Sequence, residues 1–305
     1  MKISALLGIL AVLMISSPAF SASHPDANTQ EVMVGIYVLN IGKFDVSSGS
    51  YTVDFYLSMR CETACEPDKF EFMNGRAISL DRLIDKPNEK FYRIQAALSQ
   101  NIDLRSYPFD RHKLSIEVED KLKAKERLVY APDAENSGVD PLVTIVGWEL
   151  AGWDAEVIDH NYAEYGETFS RFIFNINIER ITLSAILKLF LPVFFIVFVG
   201  LLALLLGIDK LPQRLGVNTS TLLAAVFFHI NSTSSIPPVG YLTFADKFMI
   251  ITYIVLITAL FSTIMLMRHT EKKEEEKAKR MNRIAMLAVP AITLLLYIAI
   301  FAIGI

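Results

Sequence analysis

The chain has 305 residues, 52% of them apolar, and a formal net charge of −4. So small a charge excludes the strongly basic surface that nucleic-acid binding needs, and no nucleic-acid partner is expected. The average composition hides a break: residues 24–180 are mixed and polar, while residues 181–305 are mostly apolar runs, the pattern of a water-facing domain followed by a membrane domain.

Residues 1–22 begin with Lys2, continue through a short apolar run and end in small residues around Ala19 and Ser23. That is the pattern of a secretory signal peptide, too short to span a bilayer. Its removal would leave residues 23–180 outside the cytoplasm. From residue 31 to residue 180 the chain reads as short strands between turns: "EVMVGIYVLNIGKF", "YTVDFYLSM", "HKLSIEVED", "LVTIVGWEL" and "RFIFNINIER". In the last of these Phe172, Phe174, Ile176 and Ile178 alternate with Arg171, Asn175, Asn177 and Glu179, the period of a half-buried strand. Many short strands without a helical period predict a two-sheet β-sandwich. The only cysteines, Cys61 and Cys65, predict a local disulfide outside the cytoplasm. No histidine or further cysteine completes a ligand set, so no metal is expected there.

Four membrane helices are predicted, at about 181–207, 213–235, 247–268 and 284–305. Pro192 removes a backbone donor and bends the first. The basic link "RHTEKKEEEKAKRMNR" and the short link "GIDKLPQR" belong on the cytoplasmic side, which puts the N-terminal domain and Ile305 outside. The second helix carries Asn218, Thr219, Ser220 and Thr221 in one group. Polar side chains survive in a membrane helix when they face water or other helices. No nucleophile elbow, phosphate-binding glycine loop or zinc-ligand spacing occurs, so neither an enzyme nor a cofactor is expected.

The stretch "QNIDLRSYPFDRHKL", residues 100–114, resembles the signature loop of the pentameric ligand-gated ion channels, the Cys-loop receptor superfamily, in its bacterial form. Asp103 and the core Tyr107-Pro108-Phe109-Asp110 stand at the family's positions. Gln100 and Leu114 stand where animal members carry the flanking cysteines, so the family's named disulfide is absent. "GWELAGWDAEV", "FNINIERITLSAILKLFLP" and "PQRLGVNTSTLL" match later segments in collinear order.

The resemblance implies a homopentamer, each chain surrounded by four identical partners, in contact with membrane lipid, passing an inorganic ion and answering a small ligand or protons. It implies a bacterial inner membrane with the sandwich on the periplasmic side. It places Pro212, Gly216, Ser220, Leu223, Phe227 and Ser234 on the pore axis, with Ile230 or Asn231 between the last two. Ser220 would offer hydroxyls to hydrated ions, and Leu223 and Phe227 would form rings that stop conduction by dewetting. Pro212, Gln213 and Arg214 at the inner mouth favour anions over cations, while Asp209 competes.

For coupling, the resemblance implies that Tyr107–Asp110 rests on the link near Pro237, Pro238 and Tyr241, and that Arg180 pairs with Asp110 or with Asp45. The agonist box lacks the family's tryptophans. Only Tyr162, Tyr165 and Phe169 offer rings, too few for an ammonium cage. His160 and His229 are read first as structural or exposed residues, with pH sensing as the second reading. Two alternatives to an anion channel stand beside it: a cation-selective proton-gated channel, and a non-conducting membrane sensor that keeps the fold.

Overall fold

A computed structural model describes residues 29–304 apart from Glu66, Asp68 and Ser235. The signal-peptide segment lies outside the described residues. Among the described residues ten strands come first: β1 (Gln30–Ile41), β2 (Ser50–Arg60), β3 (Phe70–Phe72), β4 (Gly75–Lys86), β5 (Glu89–Ser99), β6 (Arg111–Asp120), β7 (Leu128–Pro132), β8 (Gly138–Val139), β9 (Trp148–Tyr162) and β10 (Glu167–Arg180). One sheet has the order β4-β5-β2-β1-β7, with β8 also on β1. The other runs β3-β6-β10-β9.

Alternation builds the interior. Along β5, Tyr92, Ile94, Ala96 and Leu98 point inward while their neighbours face water. Phe172, Phe174, Ile176 and Ile178 on β10 do the same from the opposite sheet and are fully buried. One continuous apolar core results, each large side chain contributing about 1.5–3 kcal/mol by leaving water. At the β1–β2 turn, Gly49 has φ +68°, and a side chain there would lie 2.0 Å from the Gln100 carbonyl oxygen, so only glycine closes the hairpin.

Two strands escape the sequence pattern. β4 is exposed along nearly its whole length, so it shows no alternation to read. "LVTIVGWEL" forms no continuous strand: residues 141–147 are turns and irregular backbone with a single bridge from Ile145 to Trp148, and β9 starts only at Trp148. The reason is Gly147, whose φ of +86° reverses the chain. Cys61 and Cys65 are disulfide-bonded.

Four α-helices follow among the described residues: α1 (Thr182–Leu202), α2 (Leu211–Thr233), α3 (Phe244–Glu271) and α4 (Glu275–Gly304). α3 starts before residue 247 because Thr243 and Asp246 form a reciprocal capping box. α4 starts before residue 284 because the charged run is itself helical, tied to the preceding turn by Lys277–Glu274. Among the described residues, three helical segments are long and apolar enough to cross a membrane, namely Thr182–Leu205, Phe244–Glu271 and Glu275–Ala302. α2 is the more polar helix and packs between α1 and α3. Gly200 permits that approach, since a Cβ there would come within 2.9 Å of Leu256 and 3.4 Å of Thr221.

Candidate functional site

The polar helix α2 presents two opposite faces. Leu211, Arg214, Asn218, Thr221 and Ala225 are buried against the other helices. Pro212, Gly216, Ser220, Leu223, Phe227, Ile230 and Ser234 form an exposed stripe on the other side. Steps of three and four residues keep each set on one face of a 3.6-residue helix. The polar group at 218–221 therefore divides: Thr219 and Ser220 are exposed, while Asn218 and Thr221 turn into the protein.

Arg214 does not join Pro212 and Gln213 at the mouth. Its side chain is fully buried. Nε donates to Thr263 Oγ1 at 3.0 Å, and Nη1 donates to Asn282 Oδ1 at 2.7 Å. The cause is geometric: two residues along a helix turn the chain by about 200°, so Arg214 points away from the face that holds Pro212 and Gly216. This corrects the expectation of a guanidinium in the inner opening. Gln213 and Pro212 are exposed there, beside the exposed Asp209 and Lys210.

At the other end of α2, His229 also faces inward. Its Nδ1 lies 2.8 Å from the Tyr253 hydroxyl and its Nε2 3.0 Å from Asp246 Oδ1, both on α3. The two polar anchors, Arg214 and His229, hold the helix by its two ends and leave the stripe between them free.

The sandwich meets the helices through the loop between β5 and β6. The backbone N–H groups of Phe244 and Ala245 donate to the carbonyls of Arg105 and Tyr107, at 2.8 and 3.1 Å. These are first-turn donors that α3 cannot use internally. The Tyr241 hydroxyl accepts from the Leu104 N–H at 2.9 Å, and Arg105 lies 5.1 Å over the Tyr241 ring. Phe109 stacks on Phe190 and meets Phe244 edge-on. Among the described residues, the loop's hydrogen bonds and ring contacts thus fall on Tyr241 and the first turn of α3 rather than on Pro237 and Pro238. Those residues lie in the α2–α3 link, half-buried and exposed respectively. Prolines have no N–H to offer the loop carbonyls, whereas a helix start does.

Behind the loop, Arg180 grips Asp110 with two parallel bonds, Nε–Oδ1 at 2.7 Å and Nη2–Oδ2 at 2.9 Å. Asp45 plays no part in this pair; its carboxylate accepts from the Ser47 N–H in the β1–β2 turn. Asp110 is almost fully buried and also lies 2.7 Å from His112. Burial works to raise its pKa, but the His112 and Arg180 hydrogen bonds outweigh it and hold the carboxyl at about 2. Sequence reasoning overlooked the aromatic seat of this pair. Arg180 lies 4.3 Å over the Trp148 ring and 5.0 Å over Tyr107. Trp148 in turn meets Phe44 and His112, so the tip of the first hairpin shares the cluster. No periodicity marks Phe44, His112 or Trp148, because they come from three separate turns and strand ends.

The β9–β10 hairpin holds the remaining candidates, Tyr162 on β9, Phe169 on β10 and Tyr165 in the turn between them. Tyr162 meets Phe169 edge-on at 5.7 Å and His160 at 4.5 Å, while Tyr165 is 80% exposed. They do not close into a cage. Tyr162 instead donates to Glu119 at 3.0 Å, and Arg171 donates to the same carboxylate at 2.8 Å. Both strand neighbours were invisible to spacing alone, since β6 and β10 lie some 50 residues apart in the chain, with |i−j| of 52 for this pair.

No family model matches the chain. Among curated proteins it is similar to the proton-gated ion channel of Gloeobacter violaceus, 24% identical over a 311-residue alignment that spans 92% of this chain and 84% of that protein. This likeness bears out the resemblance to pentameric ligand-gated channels drawn from residues 100–114 and the later segments. That relative is named as an ion channel.

Proposed function

We propose that five copies of this chain assemble around α2 into an ion channel of the pentameric ligand-gated type. It sits in a bacterial inner membrane with the sandwich outside, and it opens when protons or a small ligand act on the outer domain. One observation carries this reading. α2 keeps a stripe of Gly216, Ser220, Leu223 and Phe227 exposed, while its opposite face is bonded into the bundle through Arg214, Asn218 and His229. Such a helix suits an aqueous lumen, where hydroxyls meet hydrated ions and apolar rings gate by dewetting.

The loop from Leu104 to Asp110 supplies the route from stimulus to pore. It is bonded to α3, α3 is bonded to α2 through His229, and Asp110 ties the loop to the strand that runs into α1. The proton as stimulus draws on the name of the Gloeobacter relative. Anions are the favoured ions. Pro212 and Gln213 bring no carboxylate to the inner end of the stripe, and the start of α2 carries the positive end of its dipole.

A second reading is a non-conducting sensor, favoured by the bulk of Leu223, Phe227 and Ile230, each more than half exposed along one stretch. Planar-bilayer recording of the reconstituted protein, with outer pH and chloride varied independently, separates the readings. Current on acidification with a reversal potential that tracks chloride is expected. A potential that tracks sodium overturns the anion assignment. Silence across pH and a metabolite panel, from folded protein, favours the sensor.

A further inference from the structure

A lysine stands inside the first membrane segment. Lys188 lies six residues into α1, about 9 Å along the axis from its start, in a segment long and apolar enough to cross a membrane. An ammonium at that depth is costly unless it faces water, a counter-charge or a bound anion. Among the described residues it has no hydrogen bond and no ion pair.

Lys188, itself exposed, borders a cavity of about 330 Å³ between the outer ends of α1 and α2, which Tyr107 and Pro108 also line. Two charged groups line the wall, Arg180 and Lys188, and both are positive. Arg180 is already neutralised by Asp110, which leaves the Lys188 charge uncompensated. Ser184, one turn above Lys188 on α1, and Asn231 on α2 bring a hydroxyl and an amide that bond no other described side chain. Phe228 forms an apolar floor. The volume is about ten times the roughly 30 Å³ share of a water molecule, which is more than a bare halide needs.

We infer that this junction cavity binds an anionic oxygen group, a phosphate or carboxylate, held by Lys188 with Ser184 and Asn231. Its bearer is either an acidic lipid reaching in from the outer leaflet or a free anion from the aqueous side. An ammonium with hydroxyl and amide donors around it matches such a group, and the apolar floor matches the first carbons of an ester. The occupant would bridge α1, α2 and the Tyr107–Pro108 turn, the same elements that meet at the domain junction.

The test uses purified full-length protein in neutral micelles and reads binding by native mass spectrometry and by thermal shift. The probes are phosphatidylglycerol, phosphatidylcholine and inorganic phosphate. Wild type and Lys188→Arg are expected to bind an anionic probe at least tenfold more tightly than Lys188→Met. Ser184→Leu, which fills the cavity and leaves the charge, is expected to lose the same binding. Preference for phosphatidylglycerol without a response to phosphate identifies a lipid headgroup; a response to both identifies a free-anion site. Equal binding by wild type, Lys188→Met and Ser184→Leu overturns the inference, as does indifference of wild type to both anions. Conduction is not read, so failure here leaves the channel reading untouched.

Discussion

The two halves of the molecule solve opposite problems with the same residue types. The sandwich gathers its apolar side chains into one continuous core, with Phe55, Ile94, Phe172 and Phe174 fully buried. The helices split theirs into three smaller clusters. They bury Arg214, Asn218, Thr221, Thr252 and Thr263, and they leave Phe194 and Leu287 59% and 71% exposed. In water, exposed apolar area drives collapse. Against lipid that drive vanishes, and close packing and interhelical hydrogen bonds fix the arrangement instead. Polar side chains in the helices are therefore the specific contacts, whereas in the sandwich interior they are the minority.

A pair of truncations tests the contrast most sharply. Phe172→Ala empties a filled site in the sandwich and is expected to cost about 3–5 kcal/mol. Phe194→Ala, on the outward face of α1, is expected to change stability by less than about 0.5 kcal/mol. Thermal unfolding of the full-length protein in micelles, followed by the fluorescence of Trp148 and Trp153, compares them. A large cost at Phe194 would show that its face is covered by protein rather than lipid.

The junction between the halves comes next in size. Arg180→Ala leaves Asp110 buried with His112 as its remaining partner, and breaking such a pair from one side is expected to cost about 3 kcal/mol. The pH window follows from the carboxyl. Its folded pKa of about 2 lies below the ordinary 3.8, so its contribution is complete above 3.8 and disappears as pH falls through about 2. The stability gap between wild type and Arg180→Ala should stay constant from about pH 7 to about pH 5 and shrink only below about pH 4. A gap already closed at pH 5 would mean that acid acts on the protein through this pair.

How much of this was legible in the sequence depended on whether a residue's role was local. Alternation in "RFIFNINIER" announced β10, and the apolar runs announced α1, α3 and α4, because strand and helix periods are written in consecutive residues. The exposed stripe of α2 follows from steps of three and four once one residue is placed. β4 stayed hidden because an exposed edge strand buries neither face. The seat of Arg180 stayed hidden too, since Phe44, Tyr107, His112 and Trp148 meet only after the two sheets fold together. The misplacement of Arg214 had a different cause. Motif order sets it beside Pro212 and Gln213 along the chain, whereas two residues of helix turn it about 200° away from Pro212.

That arginine supplies the last and smallest effect, and it turns the contrast between the halves inward. Arg214 is buried without a carboxylate among the described residues, bonded to Thr263 and Asn282 and to the Leu204 carbonyl, with Nη2 unpartnered. If hydrogen bonds rather than charge pairing hold the helices, Asn282→Ala should cost about 1–3 kcal/mol, because it strands a buried donor. Arg214→Met, which removes the donor and keeps the volume, should cost less than Asn282→Ala and can be neutral. The double variant should then unfold with Arg214→Met alone, since an acceptor with no donor to serve contributes nothing further. Additive losses in the double variant would show that Asn282 stabilises α4 by another route, and that the guanidinium is not what fastens the inner end of α2.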